Sequence, residues 1–382
     1  MASESKREAS SAAEDGAAAA AGATDEVVIT KEELHRLVRD CMATVGTDAA
    51  HATQLADVLI AGDYRGHYSH GMNRLHMYVE DVRSGTTRAG GEPAVLKERA
   101  ASAWVDGRSL LGPVVGNFCV DLAVRKAREA GVGWVVAKGS NHFGIAGYYT
   151  LRAMQASMLG LAFTNTSPLT FPTRGKKSAL GTNPISVGAS AAAEDEFVLD
   201  MATTTVAVGK LEIAQRKGET IPNTWGVDGE GHVCTDPAVV MAQGSPLPLG
   251  GAEVTGGYKG YGLSVMVELF CGMLGGAQWG PHIRRWMDTH CEADLGQCFV
   301  AIDPEAFAPG FQGRLQDLLE TLRSTSPTTE TLPVLVPGDP ERQHARMCDE
   351  LGGIPYPAKQ WLHFKTVAEK LGVDPPKLLR SG

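Results

Sequence analysis

The chain has 382 residues, and 35 Lys and Arg stand against 44 Asp and Glu for a formal charge of −9. With 43% apolar and 21% charged residues it is composed like a folded protein, which excludes a chain disordered throughout. A mildly acidic chain without a Lys/Arg run is a poor ligand for phosphate backbones, which excludes nucleic acid as the main partner.

Residues 1–26 carry ten Ala, six acids and two bases. They have no apolar run, so they read as a disordered tail rather than a signal or transit peptide. Thr30-Lys31-Glu32-Glu33 is a capping box: the Thr hydroxyl accepts a backbone N–H three residues on, and the Glu reaches back. Leu34, Leu37 and Val38 then recur at helical spacing, as do Leu55, Val58 and Leu59. A third helix is expected from about Gly71 through Leu75, Tyr78, Val79 and Val82. Three helices before residue 85, with no strand between them, predict a small helical subdomain.

From about residue 100 the pattern changes. ASAWVDG reads as a strand, GNFCVDLAVRKAREAGV as an amphipathic helix and GWVVAKGS as a second strand. LGLAFTNTS and FVLDMAT repeat the form of a strand running into a polar turn, before a helix containing Gly209, Lys210 and Ile213. Strands alternating with helices predict a mixed α/β domain, with polar residues gathered at strand ends, where such folds hold ligands. Gly260 to Gly280 is apolar, but Glu268 near its middle and six glycines make it a buried core helix rather than a membrane span. Pro309 to Ser324 and residues 340–380 read as helical, the latter packing back on the first subdomain. Seven Cys without a CxxC pair read as reduced thiols of a cytosolic protein.

No G-x-G-x-x-G and no P-loop string occurs, so the 45 Gly do not announce a standard nucleotide fold. The polar clusters point elsewhere. In Arg65-Gly66-His67-Tyr68-Ser69-His70-Gly71, followed by Arg74 and Tyr78, a helix starting near Ser69 would set His70 and Arg74 on one face. An Arg fork suits a carboxylate and a His beside it can exchange a proton, which describes a 2-hydroxy or 2-oxo acid site. The competing reading is a solvated helix face. Ser140-Asn141-His142-Phe143-Gly144 places a second His in a strand-end turn, suited to chemistry or to a plain backbone contact. Gly181-Thr182-Asn183-Pro184-Ile185 and Asp200-Met201-Ala202-Thr203-Thr204 could bond ribose or phosphate, or Thr203 to Thr205 could cap the next helix. Gly256-Gly257-Tyr258-Lys259-Gly260-Tyr261-Gly262 permits close backbone approach and supplies a cation. No string has zinc-ligand spacing.

RGHYSHGMNRLHMY, SNHFGIAGYY, GTNPISVG, LDMATTTVAVGK, TDP, PLGG, GGYKGYGL and VPGD follow one another in register. On these, residues 28–375 resemble the malate/L-lactate/L-sulfolactate dehydrogenase family that lacks a Rossmann fold. The resemblance implies a mixed α/β, L-sulfolactate dehydrogenase-like fold. Residues 27–100 and 326–382 would form a helical domain from both chain ends, and 101–325 a non-Rossmann NAD(P)-binding domain. It implies a homodimer and NAD or NADP as cofactor. Ser69, His70 and Arg74 become substrate-site residues with Arg74 on the carboxylate, His142 the proton acceptor or donor with His70 its rival, and Thr166 and Thr204 substrate-lining. Asp200, Met201, Ala202, Trp225, Gly226, Lys259, Pro337, Gly338 and Asp339 become cofactor contacts. The chain departs from the family at His67, commonly apolar, and at Asp339, usually Glu. It also departs at Arg174, within Pro172-Thr173-Arg174-Gly175, where a cation could alter substrate choice or meet a cofactor 2′-phosphate. The expected function is hydride transfer between a nicotinamide cofactor and a small 2-hydroxy or 2-oxo acid. The alternatives are a dimeric metabolite-binding protein without turnover, and a lyase or isomerase acting on a 2-oxo acid.

Overall fold

The computed structural model describes residues 26–285 and 288–381, so the Ala-rich tail lies outside the described residues except for Glu26. Glu26 opens a strand that the sequence reading missed, β1 (Glu26–Ile29). Thr30 caps α1 (Lys31–Ala43) through Glu33 N–H at 3.2 Å. The return half of the capping box is not made. The Glu33 carboxylate instead takes Arg36 and the Lys377 backbone N–H, a partner 344 positions away that no local pattern reveals. Helices α1 and α2 (Ala49–Tyr64) bury the predicted apolar positions. The third helix starts later than expected. Two 3₁₀ turns, Tyr68–His70 and Met72–Arg74, precede α3 (Leu75–Arg83).

The middle of the chain runs β2 (Ala94–Glu98), β3 (Ser102–Asp106), α4 (Gly112–Ala130), β4 (Val132–Ser140), α5 (Gly147–Gln155), β5 (Leu159–Thr164), β6 (Ile185–Ser190) and β7 (Glu196–Met201). There follow α6 (Val208–Lys217), β8 (Gly226–Val227), α7 (Pro237–Gln243), β9 (Ser245–Pro246), α8 (Gly257–Glu268), β10 (Leu295–Ile302) and α9 (Phe311–Arg323). The chain closes with α10 (Asp339–Leu351), β11 (Ile354–Pro357), α11 (Ala358–Lys370) and β12 (Arg380–Ser381). Seven strands form one sheet in the order β2-β3-β4-β10-β5-β6-β7. Only β3 and β4 in it are parallel, because β10 arrives late and inserts between β4 and β5.

One face of this sheet, with Val135, Ala137, Phe299 and Ala301, shares a continuous core with α4 and the helical layer, including Leu34, Leu59, Tyr356 and Phe364. Pairing of β1 with β11 ties the late helices to the early ones. The other sheet face packs Val136, Phe163 and Val300 against Val267 and Cys271. There the expectation of a buried helix needs correction. Helix α8 continues as a π-helical turn, Leu269–Met273, and buries one side only: Leu269, Met273 and Leu274 are 52%, 46% and 58% exposed. All seven cysteines are free thiols. No helix of the described residues is long and apolar enough to cross a membrane.

Candidate active site

A cleft of about 550 Å³ opens where strand ends meet the two 3₁₀ turns. Ser69, His70, Arg74, His142, Thr166 and Thr204 line it, as do Asp200, Met201 and Ala202 at the end of β7. His70 and Arg74 thus meet as the sequence suggests, but for a different reason. Gly71 (φ −100°, ψ −138°) separates the turns, so no helix sets their spacing. The segment curls instead, and Arg74 Nε donates to Ser69 O at 2.6 Å. Beneath it Asp63, 1% exposed, accepts from Met72 N–H (3.0 Å) and Tyr356 O–H (2.7 Å). Gly71 is obligatory here: a Cβ on it would stand 1.8 Å from Asp63 Oδ1.

Burial pushes the Asp63 carboxyl up to about 7, against the pull of those two hydrogen bonds. Between its ordinary 3.8 and 7 the folded chain therefore binds more protons than the unfolded one, and this group's stabilisation falls as pH rises through that window. Urea midpoints measured from pH 4 to 7 are expected to show this downward contribution in the wild type and to lack it in Asp63→Asn.

His142 follows β4 and its Nδ1 lies 2.5 Å from the Tyr78 hydroxyl and 3.3 Å from Gly144 N. Tyr78 can donate or accept and so accommodates either neutral tautomer, whereas Gly144 N–H meets Nδ1 only when Nδ1 carries the lone pair. With the proton on Nδ1 and Tyr78 accepting it, the long Gly144 contact is given up and Nε2 carries the lone pair that chemistry in the cleft needs. The His70 ring stacks on that of His142 (centroids 5.8 Å, 16° between planes), and Ser69 Oγ lies 2.8 Å from His70 Nδ1. Burial, then Arg74 and His67, hold His70 down at about 4. Burial, then His70 and Arg74, hold His142 well below its usual value. Both rings are neutral at pH 7, the form that accepts a proton. Burial also disfavours the Arg74 charge while Glu212 favours it, and a guanidinium keeps its proton in such a setting.

Thr166 is held from behind. Its Oγ1 accepts from Thr182 N–H (3.0 Å) and its own N–H donates to Asn183 Oδ1 (3.1 Å). Asn165 and Asn183 both donate side-chain N–H groups to Glu268, at 3.0 and 3.1 Å. The odd acid in an apolar helix is thus a clamp on two strand-end turns. Burial raises its carboxyl and the two amides oppose that. Asp200 accepts from Gly147 N–H at 2.8 Å, and burial raises its carboxyl against the influence of His67. Thr204 Oγ1 donates to Val206 O at 2.8 Å. The capping reading of Thr203–Thr205 fails: α6 is entered through Ala207, with no side-chain cap.

Trp225, Gly226, Lys259 and Pro337 to Asp339 do not line the cleft. Trp225 sits under Lys210, whose Nζ is 5.7 Å from the ring centroid and which does line the cleft. Gly226 is buried in β8, where a Cβ would come 2.6 Å from Val240. Lys259 is exposed on α8. Pro337 O accepts from Val198 N–H at 3.1 Å, which sets the Pro337–Asp339 turn against the outer edge of β7. Asp339 takes Arg323 and Arg342; burial alone would raise its carboxyl, but those bonds and Val336 N–H bring it to about 2. Arg174 is 79% exposed and bidentate to Glu253, so its charge is answered at the surface rather than in the cleft. His67 lines the cleft with Nε2 3.6 Å from Glu341.

Two neutral imidazoles and a guanidinium around one cleft are the equipment of acid–base chemistry on a small carboxylate. The malate/L-lactate dehydrogenase family model matches residues 29–365. The chain is 37% identical over 351 residues to the malate dehydrogenase of Pyrococcus abyssi, a match covering 91% of this chain and 96% of that one. It is 31% identical over 313 residues to the ureidoglycolate dehydrogenase (NAD(+)) of Escherichia coli O157:H7, covering 81% and 87%. The solved malate dehydrogenase of Pyrococcus horikoshii OT3 superposes with a TM-score of 0.84 at 33% identity, over 93% of this chain and 99% of that chain. The chain belongs to the malate/L-lactate dehydrogenase family, a group of hydroxyacid oxidoreductases.

Proposed function

We propose that the protein is an NAD(P)-dependent dehydrogenase of a small 2-hydroxy acid of the malate and lactate class. The observation that carries this is the placement of Arg74 beside the neutral His142–His70 pair in one cleft. Arg74 would hold the substrate carboxylate, and its Nε anchor on Ser69 O fixes the fork. His142 would take the hydroxyl proton at Nε2 while Tyr78 steadies the ring through Nδ1.

The cleft suits a nicotinamide nucleotide. Its volume falls in the range of cofactor sites. Pro184, Met201 and Leu249 provide an apolar wall, and Asp200 provides an acceptor. Val208, Gly209 and Lys210 bring the uncapped start of α6 and a cation to its rim, chemistry that suits a phosphate. When bound, the nicotinamide supplies the hydride acceptor. Pro337 to Asp339, on the outer edge of β7, would extend the same path. We also infer a homodimer; the exposed Tyr258, Leu269, Met273 and Leu274 support a partner surface on α8 and the turn after it.

The test is tryptophan emission during titration with NADH and with NADPH, followed by turnover assays on malate, lactate and sulfolactate. Saturable quenching or energy transfer with one nucleotide, and turnover with it, are expected. No binding of either nucleotide by calorimetry would overturn the proposal and favour a metabolite-binding protein.

A further inference from the structure

We propose that Arg284 is a positioning residue for His142, acting through Asp81 and Asn141; the inference rests on the dehydrogenase reading of the site. The Asn141 side chain is a two-way connector. Its Oδ1 accepts from His142 N–H at 2.8 Å, and its Nδ2 donates to Asp81 Oδ2 (2.8 Å) and Thr87 Oγ1 (2.7 Å). The amide holds the His142 turn only in this orientation, with its oxygen toward His142 and its NH₂ toward acceptors.

Asp81, on α3, is the acceptor that enforces this orientation, and Arg284, from the segment after Gly280, is its counter-charge. Arg284 Nη2 donates to Asp81 Oδ2 at 2.6 Å and approaches Asn141 Oδ1 at 3.4 Å. The two side chains are 9% and 10% exposed. Arg284 Nη1 donates to Cys291 O at 3.0 Å and approaches Thr86 Oγ1 at 3.5 Å, so the guanidinium also ties its own segment down. Around Asp81 stand Arg284 from that segment, Thr86 and Thr87 after α3, and Asn141 and His142 after β4, with Tyr78 and Glu80 on its own helix. Arg284 is the one cation bonded to it among the described residues.

Removing one partner of a buried ion pair leaves the other uncompensated and is strongly destabilising. Without Arg284, Asp81 would be drawn from its place against the Asn141 NH₂ toward water, and the amide would lose the acceptor that fixes its oxygen on the His142 N–H. Arg284 thus acts on the His142 turn through Asp81 and the polarity of one amide.

The experiment compares Arg284→Met, Arg284→Lys and the neutral pair Asp81→Asn/Arg284→Met, with two readouts. Hydrogen exchange of the 139–146 backbone needs no substrate; the His142 amide is expected to lose protection by at least about tenfold in Arg284→Met and to keep most of it in Arg284→Lys. Turnover is expected to fall roughly 10²-fold in kcat in Arg284→Met at neutral pH, the scale set by a misplaced catalytic group. Nucleotide affinity should be unchanged, and the neutral pair, which leaves no uncompensated buried charge, is expected to recover part of both the protection and kcat. Wild-type protection at His142 in Arg284→Met overturns the proposal. So does a kcat loss that follows the melting temperature at every pH. If the wild type turns over no 2-hydroxy acid, the dehydrogenase reading fails, and the exchange measurement still decides whether Arg284 holds the turn.

Discussion

Replacing His142 with alanine is expected to lower kcat for 2-hydroxy acid oxidation by about 10²–10⁴-fold and to change nucleotide affinity little. The reason lies in what surrounds the ring. Tyr78 occupies Nδ1 at 2.5 Å, and His70 is held neutral beside it. The rival base is His70, whose Nδ1 is engaged by Ser69 as that of His142 is by Tyr78. Arg74→Ala should behave differently, raising KM far more than it lowers kcat, because a lost carboxylate fork weakens binding of substrate throughout the reaction. The pH profile follows from the direction of the shifts. A base must be neutral to act, and burial holds both histidines below their usual 6.5. The acid limb of kcat/KM for oxidation should therefore lie below pH 6.5, and His142→Ala should abolish that limb. Stopped-flow and steady-state profiles of the three proteins check this, and equal kcat in wild type and His142→Ala would remove His142 from the mechanism.

Gly71→Ala is expected to be nearly as damaging without touching a reacting group. The added methyl would stand 1.8 Å from Asp63 Oδ1, far inside contact distance, and Asp63 cannot retreat because Met72 and Tyr356 hold its other oxygen. The turns must give way instead. Overpacking of this kind costs about 1–3 kcal/mol. Because Gly71 is flanked by His70 and lies three residues before Arg74, the same displacement spoils both the proton-transfer and the carboxylate-binding ends of the site. We expect kcat/KM to fall by more than about 10²-fold and the melting temperature to drop. Asp63→Ala/Gly71→Ala should recover part of the loss, as neighbouring sites are coupled. Wild-type activity in Gly71→Ala would mean that the two turns are not the rigid support described above.

Much of this site was legible in the sequence, though not always through the right physics. His70 and Arg74 do share a cleft, yet the helical spacing that suggested it is absent, since two 3₁₀ turns around Gly71 bring them together. Strand-end turns were readable wherever an apolar run stopped at polar residues, which located His142 and Asp200; Thr166 came from the family resemblance. What stayed hidden depends on long-range partners. The place of β10 between β4 and β5 is set by pairing across more than a hundred residues, not by its own pattern. Glu268 was visible as an oddity in an apolar helix, but its two asparagine partners were not. Arg284 carried no signal at all: it is one Arg in an unpatterned segment, and its meaning comes from Asp81, 203 positions earlier.

The three-stranded sheet β11-β1-β12 has a consequence for how the chain reaches this state. Its middle strand is β1, made first, and both neighbours are made last: Val28 pairs with Pro355 on one side and Arg380 on the other. During synthesis α1 and α2 therefore wait with one edge of their layer uncovered until residues 354–381 emerge. Closing loops of this length costs entropy before any contact rewards it, which slows folding and leaves apolar surface open meanwhile. The central sheet waits less, since β10 completes it some fifty residues before β11 is made. The nascent protein should therefore assemble from the middle outward, with the turns that carry His70 and Arg74 among the last parts to settle, as Tyr356 arrives to meet Asp63.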